Sequence, residues 1–170
     1  DNLCYGDCTA DEKFAITGGT PPYSITFNGI TSILGIGSLD TIYEDFCAGS
    51  YDVTIVDVNG CETSPAITSF TISEPSKLIP NGSVISDYNG QDISCVGAAD
   101  GSILAAVSGG TPGAPAYEYS IDGISFDPNP LFTNLVAGSY TITYRDGNGC
   151  DTTEIITLTD PPNLSGSAVF

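Results

Sequence analysis

Apolar and polar residues alternate strictly over short runs of this chain, and the clearest run occurs twice. Tyr140, Ile142 and Tyr144 alternate with Thr141, Thr143 and Arg145, and Tyr51, Val53 and Ile55 alternate with Asp52, Thr54 and Val56. A period of two over such a length predicts a strand with one buried and one wet face. Asn148-Gly149 and Asn59-Gly60 follow, and each pair predicts a type I′ turn that reverses the strand into an antiparallel partner opening at Cys150 or Cys61. The whole stretch Ala137 to Cys150 is a near copy of Ala48 to Cys61.

The same alternation predicts the strands upstream. Phe14 to Thr17 matches Ile103 to Ser108, where Ile103, Ala105 and Val107 should point inward and Leu104 outward. Gly18-Gly-Thr-Pro-Pro and Gly109-Gly-Thr-Pro then make turns whose prolines cannot donate to a ladder. Tyr23, Ile25 and Phe27, like Tyr117, Tyr119 and Ile121, alternate inward before turns at Asn28-Gly29 and Asp122-Gly123. Thr31 to Asp45 reads as a long loop. Closing strands are expected at Ile67 to Ser73 and Glu154 to Thr159, and Leu78 to Ser86 reads as an extended segment.

Register between the copies is set by the cysteines, since Cys4 precedes Gly18 by the same fourteen residues that separate Cys95 from Gly109. Two modules follow, residues 1–75 and 76–162, divided by Glu74-Pro75 and closed by Asp160-Pro161-Pro162. Residues 163–170 begin as Leu78 does, and read as the start of a third repeat. Val, Ile, Thr and Tyr are frequent, Trp, Met and His are absent, and no helical period of useful length occurs, so the fold class is all-β. No apolar run approaches the ~18 residues of a membrane span, which speaks against membrane insertion. Asp1-Asn2 opens without the pattern of a signal peptide, so the chain reads as a mature or excised piece.

Charge narrows the partners. Twenty-one acidic residues stand against Lys13, Lys77 and Arg145, for a net charge of -18, and no basic surface is available to displace counterions from nucleic acid or to meet an anionic bilayer. Without histidine, serine or cysteine nucleophiles lack their usual base. Acidic neighbours such as Asp11-Glu12 and Glu44-Asp45 face opposite ways on a strand and cannot act as a glycosidase pair. Structural calcium is the one cofactor to weigh: Asp57 and Asp146 precede carbonyl-rich turns, and Glu74, Asp87, Asp92 and Asp160 gather where modules should meet. None of them forms an Asp-x-Asp-x-Asp loop, and Asp before Asn-Gly is also an ordinary turn residue. Tyr43, Tyr88 and Tyr5 are the rings available to a glycan, Lys13 and Lys77 the lysines available to an isopeptide bond, and Tyr51 and Tyr140 each resemble a tyrosine corner.

Six cysteines allow fifteen pairings. The second module holds only Cys95 and Cys150, so independent folding would pair those two and, by the repeat, Cys4 with Cys61. Cys8 and Cys47, matched by Ala99 and Val136, are then left for each other. A rival arrangement keeps Cys95–Cys150 but joins Cys4 to Cys8 and Cys47 to Cys61. Disulfides of this kind imply an oxidising compartment.

The ordered motifs resemble a known family. Cys-x-Gly-x-x-Asp-Gly-Ser at Cys95 to Ser102, Ser-Gly-Gly-Thr-Pro at Ser108 to Pro112, and Leu-x-Ala-Gly-x-Tyr…Asp-x-Asn-Gly-Cys at Leu135 to Cys150 are similar to the SprB-type repeats of giant gliding-motility and cell-surface adhesins of the Bacteroidota. The first module departs at Cys8-Thr-Ala-Asp and at Phe46-Cys47. The resemblance implies two tandem immunoglobulin-like antiparallel β-sandwich modules stapled by disulfides, exported to the outer cell surface and stacked as a spacer or adhesive stalk. Its implied partners are neighbouring repeats of the same chain and a surface polysaccharide or glycan, and it implies no catalytic site. The alternative function is a carbohydrate-binding module of a secreted multidomain protein.

Overall fold

A computed structural model describes residues 1–28, 30–34, 40–63 and 68–166, with the backbone alone for 30–34 and 40–44. The chain divides into two compact units, Asp1–Pro75 and Ser76–Phe170. Every regular element among the described residues is a strand, as expected of a chain rich in β-branched and aromatic residues. Each unit is an antiparallel β-sandwich of the immunoglobulin-like kind, in which two sheets face each other across apolar side chains.

In the first unit β1 (Ala10–Ala15) pairs with β4 (Asp40–Phe46), opposite a four-stranded sheet ordered β3 (Ile30–Leu34), β2 (Tyr23–Phe27), β5 (Gly49–Val56) and β6 (Thr68–Ile72). The loop expected over Thr31 to Asp45 is instead largely two strands, β3 on β2 and β4 on β1. Acidic residues and nearby glycines hid them, and cross-strand pairing outweighs local propensity there. Asn28, with φ 45°, opens the β2–β3 hairpin and bridges to β5: its Oδ1 accepts from Asp52 N–H at 2.8 Å and its Nδ2 donates to Ser50 O at 3.3 Å. Ile67, expected to open the closing strand, lies outside the described residues.

The second unit repeats the plan with more strand at its start. One sheet runs β12 (Leu131–Leu135), β9 (Gly101–Leu104), β8 (Ser83–Val84); the other runs β11 (Tyr117–Ser120), β13 (Gly138–Asp146), β14 (Asp151–Leu158); and β7 (Ile79–Pro80) pairs with β10 (Val107–Ser108). The strand expected over Ile103 to Ser108 is split. Ala105 N–H turns to Pro130 O at 2.8 Å and Ala106 O takes Asn81 N–H at 2.7 Å, so one end of the run serves each sheet.

Alternation decides which side chains meet. Ile103 and Ala105 face Ile142, Tyr144, Ile156 and Leu158 in one buried cluster, while Leu104 is 39% exposed. Tyr144, fully buried, donates its hydroxyl to Glu154 Oε2 at 2.8 Å, and burial followed by that bond pushes its pKa above the ordinary tyrosine range. The first unit buries Ile16, Ile25, Val53 and Ile72 and adds a cluster of rings beside them. Phe46 lies edge-on to Phe27 at 5.4 Å, to Phe70 at 5.2 Å and to Tyr51 at 4.9 Å, and Tyr51 stacks on Phe70 at 5.2 Å. Tyr51 Oη donates to Cys47 O at 3.0 Å and Tyr140 Oη to Val136 O at 2.8 Å, so both make the corner their position suggested.

Cys8 and Cys47 are joined by a disulfide that ties the segment before β1 to the end of β4. Closing a loop with a sequence separation of 39 residues constrains the unfolded chain by an amount on the order of 4 kcal/mol in the chain-entropy model. Replacing both residues, Cys8→Ala with Cys47→Ala, is expected to lower the stability of the first unit by about 2–4 kcal/mol and to leave the second unit unchanged. Urea unfolding followed by amide exchange in each unit reads the two separately.

Candidate functional site

Each module has two chemically distinct ends, and the residues singled out by the sequence sit at one or the other. At the first end an aspartate lies under the Asn-Gly hairpin. Asp57, 9% exposed, accepts Asn59 N–H at 2.9 Å and Cys61 N–H at 2.8 Å on Oδ1, and Thr20 N–H at 3.0 Å on Oδ2. Asp146, 5% exposed, repeats this with Asn148 N–H at 3.0 Å, Cys150 N–H at 2.9 Å and Thr111 N–H at 2.8 Å. One carboxylate thereby fastens the hairpin tip to the Gly-Gly-Thr-Pro loop. Tyr23 and Tyr117 hold that loop from below, donating to Gly18 O at 2.7 Å and Gly109 O at 2.9 Å. The Cys61 N–H first, and Thr20 N–H next, hold the Asp57 carboxyl below the usual carboxylate range, against the opposing pull of burial.

The turn itself differs from the type I′ expectation. Gly60 and Gly149 have φ of 83° and 85°, but neither Val58 nor Asn59, nor Asn148, has positive φ. Gly60 N–H bonds back to Asp57 O at 3.0 Å and Asp57 N–H to Cys61 O at 3.0 Å, a type I turn followed by a left-handed glycine. A carboxylate that caps the turn from inside stabilises this three-residue loop over the tighter two-residue one.

At the opposite end sits the Cys-x-Gly turn. Gly6 and Gly97 take φ of 81° and 77°, a conformation that glycine reaches without strain. Gly6 N–H donates to Glu74 Oε2 at 2.6 Å and Gly97 N–H to Asp160 Oδ1 at 3.1 Å. Ser73 N–H and Thr159 N–H return the grip, donating at 2.9 Å to Asp1 Oδ1 and at 2.8 Å to Asp92 Oδ2. Thr159 also donates its hydroxyl to Asp92, and that bond with its backbone partner holds the Asp92 carboxyl below its ordinary value.

The cysteine placements correct the expected pairing. Cys61 and Cys95 are free and exposed, so neither Cys4–Cys61 nor Cys95–Cys150 is formed, and the rival Cys47–Cys61 and Cys4–Cys8 bonds are excluded because Cys8 and Cys47 hold each other. The reason is distance along a strand. Cys150 stands at the start of β14 and the Cys95 turn at its end, eight strand residues away, or roughly 25 Å, whereas a disulfide needs Cα atoms within about 7 Å. The eight-residue β5 separates the Cys61 end from the Cys4 end of the first module in the same way.

The carboxylates weighed as calcium ligands are engaged by backbone donors. Glu74 and Asp160 are counterparts, each clasping the cysteine turn of its own module. Asp57, Asp146 and Asp92 are likewise committed to backbone N–H groups, and Asp87 Oδ1 accepts Gly90 N–H at 2.6 Å. Among the described residues no group of three or more His, Cys, Asp or Glu comes together as a metal site.

Of the aromatic candidates, Tyr88 donates its hydroxyl to Asp100 O at 3.1 Å and is 38% exposed, and Tyr5 is 54% exposed. The Tyr43 side chain lies outside the described residues. Lys13 and Lys77 are both exposed, which removes the buried setting an isopeptide bond requires. Arg145 pairs with Asp151 through two bonds of 2.7 and 2.8 Å and lies 3.6 Å over the Phe126 ring, a surface clamp across the β13–β14 hairpin.

Fold and ends together define a duplicated immunoglobulin-like module braced by carboxylate-to-backbone bonds. Residues 88–126, spanning the Cys95 turn through β9, β10 and β11, match the SprB repeat family model. No curated protein matches the chain. Among solved structures it is similar to the fibronectin(III)-like modules of CbhA from Clostridium thermocellum, at 15% identity and a TM-score of 0.35 over 88% of this chain and 85% of that one. It is also similar to the amphioxus IgVJ-C2 molecule, at 11% identity and a TM-score of 0.32 over 88% and 96%.

Asp57→Asn keeps one acceptor oxygen and removes the charge. A carboxyl whose folded pKa lies below its unfolded value of about 3.9 contributes fully above that pH, and its contribution is lost as pH falls through the folded value. The variant is expected to melt lower than the parent at pH 7 and to lose less between roughly pH 4 and pH 2, as thermal unfolding over a pH series would show. With the candidate ligands occupied by backbone donors, millimolar calcium or EDTA is expected to leave the melting temperature unchanged, read by calorimetry.

Proposed function

We propose that this chain is a non-catalytic tandem-repeat segment of a large secreted cell-surface adhesin, acting as a spacer and adhesive stalk in surface attachment or gliding motility. The observation that carries the reading is the SprB repeat match at residues 88–126, in a module whose buried turn carboxylate, clasped cysteine turn and tyrosine corner all recur in the other half of the chain. Titratable side chains support it as well. The carboxylates tied into turns hold backbone N–H groups in place, which is the work of shape rather than of turnover, and no histidine is present to move protons.

Outward position is supported by the family and by the Cys8–Cys47 disulfide, since such bonds persist in oxidising surroundings. The net charge of -18 keeps a densely displayed surface protein soluble and separate from its neighbours. The carbohydrate-binding alternative rests on Tyr5 and Tyr88, the exposed rings among the described side chains.

The test is an in-frame deletion of this two-module stretch from the parent protein, with surface labelling of intact cells by an antibody against it. The expected result is labelled parent cells, and deletion cells that still export the protein but attach or glide less well. Labelling only after lysis, or deletion without effect on attachment or gliding, would reject the stalk reading. A glycan bound by the isolated chain and lost on Tyr88→Ala would favour the carbohydrate alternative instead.

A further inference from the structure

Asparagine followed by glycine is a dipeptide open to self-modification, because glycine leaves the backbone free to bring its nitrogen onto the asparagine carboxamide. The glycine nitrogen gives up its proton and attacks Cγ, and the carboxamide nitrogen leaves as ammonia. The cyclic imide so formed takes up water and opens to aspartate or, through its other carbonyl, to isoaspartate. This chain holds five such pairs, at Asn28, Asn59, Asn81, Asn89 and Asn148. Gly29 lies outside the described residues. In each of the other four the glycine N–H is given to an oxygen. A donated hydrogen is harder to remove, and a nitrogen tied to an acceptor is not free to turn onto the carboxamide.

What stands behind these four bonds differs. Gly60 N–H is held by Asp57 O and Gly149 N–H by Asp146 O, both at 3.0 Å. The next amides of those turns, at Cys61 and Cys150, are gripped by the buried carboxylates of the same two aspartates. Gly82 N–H goes at 2.9 Å to Glu154 Oε2, which also takes the Tyr144 hydroxyl. A Cβ on Gly82 would stand 2.6 Å from Ile156 Cδ1, so there is little room for an imide ring at that place.

The pair at Asn89 is held only from the surface. Asn89 and Gly90 take φ of 57° and 86°, and Tyr88 and Gln91 exchange backbone bonds of 2.8 and 3.3 Å across them, the type I′ turn that the hairpins at Asp57 and Asp146 do not adopt. Gly90 N–H is held by Asp87 Oδ1 at 2.6 Å. Asp87, Asn89 and Gly90 are all exposed, and a Cβ on Gly90 would meet nothing within 4 Å. Water competes for each bond of this turn, and bonds of that kind open locally far more often than buried ones.

We propose that Asn89 is a modification site, the place where deamidation of this chain begins, and that Asp87 sets its rate by holding the Gly90 hydrogen. The proposal does not rest on the stalk reading. Isoaspartate at this position inserts an extra carbon into the backbone of a two-residue turn and parts the bonds between Tyr88 and Gln91. Asp92 follows directly, and its carboxylate clasps Thr159 just past the end of β14. Conversion at Asn89 thereby loosens that clasp.

The intact chain is kept in mildly alkaline buffer at physiological temperature, and each asparagine is followed by peptide mapping with mass spectrometry, the aspartate and isoaspartate products being separated by chromatography. Asn89 is expected to convert several-fold faster than Asn59, Asn81 and Asn148 in the folded chain, and all four at similar rates in urea. Asp87→Ala is expected to raise the Asn89 rate roughly tenfold or more, as the loss of a bond to a charged acceptor requires. It is expected to leave the other three rates and the melting temperature of the second unit unchanged. Asp87→Asn keeps an acceptor oxygen without the charge and is expected to fall between. Amide exchange at Thr159 is expected to quicken in converted chains, and unchanged exchange there would overturn the loosened clasp. An Asn89 rate no higher than the other three in the folded chain would overturn the proposal. So would an Asp87→Ala chain that converts at the parent rate or more slowly, the latter being the sign of a carboxylate that draws the proton off instead of holding it.

Discussion

One buried carboxylate per module, Asp57 in the first and Asp146 in the second, collects N–H groups from the hairpin tip and from the Gly-Gly-Thr-Pro loop. Much of the local architecture follows from this bond set. It selects the three-residue hairpin, fixes where the Gly-Gly loop lies across the end of the sandwich, and thereby positions the strands on both sides of that loop. A buried charge is costly unless its lone pairs are filled, and here backbone donors fill them. The protein's acidity is in part a set of such internal struts, with Glu74, Asp92 and Asp160 used the same way at the other end.

Much of this fold was legible before any coordinates. Strict alternation located β2, β5, β11 and β13 and their buried faces, because a strand with one wet face must spend every second residue on each side. The tyrosine corners could be read because a Tyr after Gly at a strand entrance has a carbonyl four residues back within reach. Harder to see were β3 and β4, whose residues carry a weak signal of their own and pair because β1 and β2 offer edges. The turn type was misjudged since Asn-Gly suits two loop geometries, and the choice between them is made by Asp57, which bonds across 37 residues to Thr20.

The cysteines teach a different lesson. Repeat logic set the correspondence of Cys4 with Cys95 and of Cys61 with Cys150, and both corresponding pairs do occupy matching turns. What the repeat could not convey is that these turns stand at opposite ends of the sandwich, so that a correct alignment led to an impossible bond. The departures of the first module were more informative. Cys8 and Cys47 appear where the second module has Ala99 and Val136, and the same module packs Phe27, Phe46, Tyr51 and Phe70 edge to face beside its aliphatic core.

The arrangement of ends also sets how a module answers a pull. Ser76 begins beside the hairpin tip, bonded to Gly110, while Asp160 leaves beside the Cys95 turn. Tension applied between them runs parallel to β14, whose rungs to β13 extend from Arg145–Asp151 to Gly138–Leu158. Ladder bonds lie across the strand direction, so the load meets them broadside and they share it, instead of parting one by one as a zip fastener does. A sandwich threaded in this way is loaded in shear along its longest ladder.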